Sequence, residues 1–165
     1  MNQKGFTLIE LTLVVVVLAI LAITAVPRFL NLSNDARNAS LRGLEASVVS
    51  ALDISHTKLA IENLESEPSV WSFSHPEIQQ WCDLCLFSYG YPANMPTTFR
   101  YLMDGVGIGD DFVIAGNRNG VAHHLFFTFS DYVDEANFIT RDNCYIEYTP
   151  PTVNEEFVLE FEPCT

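Results

Sequence analysis

Residues 6–26, FTLIELTLVVVVLAILAITAV, are an unbroken apolar run whose single charge is Glu10. At about 1.5 Å of rise per residue, a helix of that length spans roughly the 30 Å hydrocarbon core of a bilayer. Past Pro27 the pattern changes. Leu41, Leu44, Val48, Leu52, Ser55 and Leu59 recur at spacings of three and four, which predicts an amphipathic helix with one face against a packed head. Pro27 removes a backbone donor and crowds the preceding turn, so a kink is expected there. Gly43 is a second soft point, costing about 1 kcal/mol relative to Ala. Residues 62–76 carry prolines and acids without a period and read as loop. Residues 77–92 have room for one short strand or helix before a Gly-Tyr-Pro turn. Two runs rich in Val, Ile and Phe, 110–114 and 121–129, flank Asn119-Gly120, a pair that favours a turn with positive φ, and so predict a hairpin. Residues 144–148 (CYIEY) and 157–161 (FVLEF) alternate apolar and polar positions on either side of TPPTVNEE. The expected fold is α+β: one long N-terminal helix, apolar in its first half and amphipathic in its second, packed on a four-stranded antiparallel sheet. The expected segments are 1–5, 6–27, 28–64 and a head at 65–165.

Charge and length sharpen this division. A chain of 165 residues suits one modest head plus an extension. Lys and Arg number 8 against 21 Asp and Glu, and beyond Glu62 the only basic side chains are Arg100, Arg118 and Arg141. Such an acidic field repels phosphate backbones, so no nucleic-acid partner is expected, and the acidity serves solubility outside the membrane. Lys4 lies on the amino side of the apolar block, which keeps the start cytoplasmic and sends the bulk of the chain outward. A conventional secretory signal is cut after its apolar stretch. Here Gly5 stands directly before that stretch, and a cut between Gly5 and Phe6 would remove a leader of five residues while retaining the membrane anchor.

Glu10 needs a reason to be where it is, because a carboxylate deep in an apolar helix costs about 2.5–3.5 kcal/mol on insertion scales. Removal of the leader would place a new amine on Phe6, four residues and about 6 Å of helix rise away. The two charges could pair within one helix or between staggered neighbours, and the second arrangement would set an assembly register. The alternative is a carboxylate that snorkels to the interface.

KGFTLIEL, followed by an apolar run and a proline, resembles the class III signal of type IV prepilins. The resemblance implies the type IV pilin fold, cleavage by a prepilin peptidase after Gly5, N-methylation of Phe6, an assembly role for Glu10 and a helix kink at Pro27. It implies a homo-oligomeric helical filament, built by a pilus assembly machinery from subunits first held in the inner membrane and finally displayed outside the cell.

Four cysteines fit an oxidising compartment. Cys144 and Cys164 flank the last strand pair, and a bond between them would close a loop worth about 3 kcal/mol. This is similar to the C-terminal disulfide region of type IV pilins. Cys82 and Cys85 are then the remaining pair. They read as a small structural disulfide, as half a zinc site with His123 or His124, or as a redox dithiol. The first fits best: no second ligand pair stands at defined spacing, and no βαβ setting surrounds the CxxC. No nucleophile elbow, phosphate loop or HExxH pattern is present, so no enzyme, resident metal or cofactor is expected. Residues 105–111 (GVGIGDD) read as a turn, with weak calcium binding at Asp110 and Asp111 the sharper alternative. The aromatics Trp71, Phe73, Trp81, Phe87, Tyr89 and Tyr91 read as core, with a sugar-stacking surface as the alternative.

Within the pilins, PRFLNLSNDARNASLRGLEASVVSA, the YGYP ending at Pro92 and the DNCYIEYTPP around Cys144 resemble the mannose-sensitive haemagglutinin pilin group. That resemblance implies a surface pilus used in attachment and biofilm formation, and the CDLC segment departs from it. A minor tip pilin, a type II secretion pseudopilin and a membrane-tethered thiol oxidoreductase are the competing expectations.

Overall fold

The computed structural model describes residues 7–107, 109–116 and 123–165, with the side chains of 24–31 outside that set. The chain divides into two compact units, Met1–Arg37 and Asn38–Thr165. Helix α1 (Leu8–Ile61) is the first element and contributes to both.

In the first unit, residues 8–23 are helical and every one is exposed, Leu8, Ile9 and Ile23 by about three quarters or more. A helix that is apolar all round is stable only when its whole circumference is covered by apolar material. Among the described residues no helix is long and apolar enough to cross a membrane. The described stretch is the middle of the 6–26 run, and Phe6 and the side chains of 24–26 lie outside it. The backbone is helical across Pro27.

In the second unit, the residues predicted to form the inner face of α1 do so: Leu41, Val48, Leu52, Ser55 and Leu59 are at most 1% exposed and Leu44 is 6% exposed. Each buried aliphatic side chain contributes about 1.5–3 kcal/mol. The helix ends in a Schellman cap. Asn63 takes a left-handed φ of 58°, the Leu64 N–H donates to the Leu59 carbonyl at 2.9 Å and the Asn63 N–H to the Ala60 carbonyl at 3.2 Å.

A four-stranded antiparallel sheet, its strands paired in chain order, packs on that face. Its strands are Phe112–Ala115 (β4), Leu125–Phe129 (β5), Tyr145–Thr149 (β6) and Val158–Glu162 (β7). Each lies within a few residues of its expected position, and the Asn119-Gly120 turn falls outside the described residues. Leu125, Phe127, Ile146 and Tyr148 join Leu41, Leu44, Val48 and Leu52 in the main core, where the Phe99 ring meets those of Phe127 and Tyr148 edge-on. Residues 137–139 run along the end of β4: the Gly116 N–H donates to the Asn137 carbonyl and the Ile139 N–H to the Gly116 carbonyl, both at 3.1 Å, and Asn137 donates through Nδ2 to the Ile114 carbonyl at 2.8 Å.

Two expectations need correction. Residues 62–76 are not all loop, since they hold β1 (Val70–Trp71) and a tight 3-10 turn, Ser72–Ser74. Residues 77–92 hold more than one element: the end of helix α2 (Pro76–Gln79), then β2 (Leu86–Ser88) and β3 (Tyr91–Pro92). These strands form a second antiparallel sheet, β1-β2-β3, over a satellite core of Leu59, Val70, Ile78, Cys82, Cys85 and Phe87. A further helix, α3 (Pro96–Leu102), begins with proline at its first position, where the fixed φ suits helix entry and no backbone donor is lost.

Candidate functional site: the helix start and the stapled head

Glu10 sits in the first turn of α1, and Thr7 precedes that helix. The Thr7 N–H and the Thr7 hydroxyl both donate to Glu10 Oε2 at 2.9 Å, and the Glu10 N–H donates to Thr7 Oγ1 at 3.4 Å. This reciprocal Thr-x-x-Glu arrangement is a capping box, which satisfies amide donors that the first helical turn leaves orphaned. Thr7 therefore holds the carboxylate back toward the amino end of the segment. Sequence reasoning singled out Glu10 and missed Thr7, although the spacing of three was itself the signal. Gly5 and Phe6, the expected cleavage and methylation positions, lie outside the described residues, as does the side chain of Pro27.

In the head, Cys144 is bonded to Cys164 and Cys82 to Cys85. Cys144 takes a φ of 70°, a left-handed conformation, at the entry to β6. The last cysteine is held a second time. Asn38 on α1 donates through Nδ2 to the Cys164 carbonyl at 3.2 Å and accepts the Cys164 N–H on Oδ1 at 2.7 Å. The C-terminal segment is thus fixed to β6 by sulfur and to α1 by one amide side chain.

The Cys82–Cys85 loop is held by Ser72, whose hydroxyl donates to the Asp83 carbonyl at 2.7 Å and accepts the Cys85 N–H at 3.0 Å. Both cysteines are fully buried. Exchange chemistry needs an accessible sulfur, so this geometry favours the structural reading over the redox one. His124 is engaged elsewhere, with Glu147 and with the Thr149 hydroxyl, and His123 is exposed. Among the described residues no group of three or more His, Cys, Asp or Glu side chains is arranged to hold a metal ion. Asp110 and Asp111 are exposed beside a turn in which the Asp110 N–H reaches the Gly107 carbonyl at 3.3 Å.

The six aromatics divide. Phe87 is buried and packs on Trp81, with ring centroids 5.6 Å apart. Trp71 and Phe73 lie 5.1 Å apart and are exposed, Phe73 by 61%. Tyr89 and Tyr91 line a groove.

Comparison with known proteins bears on the N-terminal region. Residues 1–26 match the family described as "Prokaryotic N-terminal methylation motif". Over 54 residues the chain is 48% identical to the "Type IV narrow pilus major component PilA5" of Thermus thermophilus, a match covering 33% of this chain and 47% of that relative. The chain thus spans about half the length of the curated relative it matches. No solved structure matches it significantly.

Proposed function

We propose that the chain, whose first 26 residues match a prokaryotic methylation motif and which is similar over 54 residues to a type IV pilus component, is a structural pilin subunit polymerising through its N-terminal helix into a surface filament. Pilins are structural proteins, and no reaction is assigned to this one. The observation that carries the proposal is the contrast between the two ends. An apolar helical stretch with exposed side chains all round bears one carboxylate near its start, whereas the head closes a complete core of its own. An uncovered apolar sleeve of this kind calls for lipid before assembly and neighbouring copies afterwards.

In this reading a prepilin peptidase cuts between Gly5 and Phe6, and the new terminal amine is methylated. Glu10 leaves its Thr7 cap to meet the Phe6 amine of a neighbouring copy. Exchange of one partner for another keeps the carboxylate from being stranded in hydrocarbon, where it would cost several kcal/mol, on the order of 3. Pro27 supplies a soft point in the helix, and the disulfides belong to an exported head. The Thermus relative is the major component of a narrow pilus, which favours bulk filament material over a trace tip subunit. A role in attachment and biofilm formation, as in the mannose-sensitive haemagglutinin group, rests on the resemblance at the start of the amphipathic segment, at Tyr89 to Pro92 and around Cys144.

Mass spectrometry of the exported chain, with filament yields for Glu10→Leu, tests this. A methylated phenylalanine at the amino terminus and loss of filaments in the variant are expected. A mature chain beginning elsewhere, or normal filaments from Glu10→Leu, refutes the proposal.

A further inference from the structure

We propose that the Cys82–Cys85 bond is a redox latch on the excursion of residues 67–89: when the bond is reduced, this excursion opens locally while the main sheet of the head stays folded. The excursion leaves the head and returns to the point it left. At its neck the Tyr89 N–H donates to the Glu67 carbonyl at 2.8 Å, and the Ser88 hydroxyl donates to the Pro68 carbonyl at 3.0 Å.

Beyond that neck the chain closes a small core of its own. Val70, Ile78, Cys82, Cys85 and Phe87 pack with Leu59 of α1, and all six are fully buried. The main core is built from other residues, and Leu102 packs against both. Secondary structure does little to hold the excursion: β1 has two residues, β2 three and α2 four. Elements so short do not persist alone in water, so the excursion depends on its tertiary ties.

Those ties converge on the disulfide loop. Besides its two hydroxyl bonds, Ser72 donates its N–H to the Cys85 carbonyl at 3.0 Å. From α3, the Thr97 hydroxyl donates to the Leu84 carbonyl and Thr98 Oγ1 accepts the Leu86 N–H, both at 3.0 Å. The Cys82 N–H reaches back to the Ile78 carbonyl at 2.9 Å. The sulfur bridge keeps residues 82–85 near this turn even when the excursion is open. Its loss frees the open state alone, which moves the balance toward opening. For a sequence separation of 3, the chain-entropy expression gives an open population larger by roughly fifteenfold.

A dithiol reductant supplies the chemistry. Its two sulfurs join in a new disulfide, two electrons pass to the Cys82–Cys85 bond, which breaks, and the two protons of the reductant end on the freed sulfurs. Both cysteines are fully buried in the closed head. Exchange therefore proceeds only from the open excursion, and the rate of reduction reports its opening. The Cys144–Cys164 bond ties the entry of β6 to the C-terminal segment, so the main sheet keeps its own staple when the excursion opens.

The test uses the full chain in nonionic detergent, with amide hydrogen exchange read by mass spectrometry. In Cys82→Ala with Cys85→Ala, exchange across residues 70–88 is expected to rise roughly fifteenfold. Cys144→Ala with Cys164→Ala should speed exchange in β5 and β6, which open only with the whole head, and leave residues 70–88 unchanged. The native sequence gives a second reading, in which each pair is reduced by dithiothreitol and trapped with iodoacetamide. Cys82–Cys85 is expected to be reduced first, at a rate nearly independent of urea below the unfolding transition. Unchanged exchange across residues 70–88 without the Cys82–Cys85 bond overturns the proposal. So does an equal rise there when Cys144 and Cys164 are replaced, or a Cys82–Cys85 reduction rate that follows global unfolding in urea.

Discussion

The C-terminal segment is tied down twice, and the two ties should prove energetically coupled. The Cys144–Cys164 bond closes a loop with a sequence separation of 20. The chain-entropy expression for a loop of that size gives about 11 cal/mol/K, or about 3 kcal/mol at 25 °C. Asn38 supplies two hydrogen bonds to the Cys164 backbone, together worth about 1–3 kcal/mol. Replacing Cys144 and Cys164 together by Ala should therefore lower unfolding stability by about 3 kcal/mol. The slope against denaturant should also rise, because the uncrosslinked unfolded chain is more expanded. Asn38→Ala alone should cost about 1–3 kcal/mol. The triple variant should cost less than the sum by about 1 kcal/mol, since a frayed tail no longer presents Cys164 to Asn38. Urea unfolding of the full chain in nonionic detergent, read through Trp71 and Trp81 in the head, measures all four corners of the cycle. An unchanged midpoint without the disulfide would refute the account of the staple, and strict additivity would refute the coupling.

Two further outcomes follow from single residues. The Tyr148 hydroxyl donates to the Pro92 carbonyl at 2.6 Å, and burial first, then Tyr91, raises its pKa far above the ordinary phenol value of 10.0. A group whose folded pKa is raised contributes stability that is complete below the unfolded value and lost above it. Unfolding free energy should therefore fall above about pH 10, by about 1.4 kcal/mol per pH unit from Tyr148. Tyr91 and Tyr145, also raised and also chiefly by burial, add to the slope. Tyr148→Phe should flatten the fall in urea titrations between pH 9 and 11, and an identical slope in the two proteins would contradict the assignment. Gly90→Ala places a methyl 2.8 Å from His56 Cδ2 and 3.2 Å from the Glu65 carbonyl at a φ of 84°. The left-handed backbone alone costs about 1–2 kcal/mol, so a thermal midpoint unchanged in Gly90→Ala would show that the turn is not pressed against α1.

How much of the fold was legible in the sequence depended on whether a signal repeats or is met once. The inner face of α1 repeats every three or four residues, and six positions from Leu41 to Leu59 are enough to set its phase. Strands β6 and β7 alternate over five residues, long enough to show a period of two, while β4 and β5 are marked by runs rich in Val, Ile and Phe around a turn signal. Strands β1 and β3, at two residues each, are too short to carry a period. They exist because the fold brings β2 between them and because Ser72 holds the Cys82–Cys85 loop in place. Helix α3 did carry a local signal, Pro96 at its start with Phe99 and Leu102 three residues apart. That signal covers only two turns, and the buried Thr98 hydroxyl bonded to the Leu86 N–H at 3.0 Å anchors what propensity alone would not.

The same division governs the sites. Glu10 stood out because one charge in twenty-one apolar and polar-neutral positions is a local anomaly, and Thr7 belonged to the same local pattern. The tyrosine groove could not be found that way. Its walls, near residue 90 and near residue 153, come together where the Tyr148 hydroxyl on β6 reaches the Pro92 carbonyl and Phe157 packs on Tyr91. A groove made by long-range pairing becomes visible only when the sheet order is known. The motif of residues 5–10, by contrast, lies within six consecutive positions and could be read as a pattern from the sequence alone.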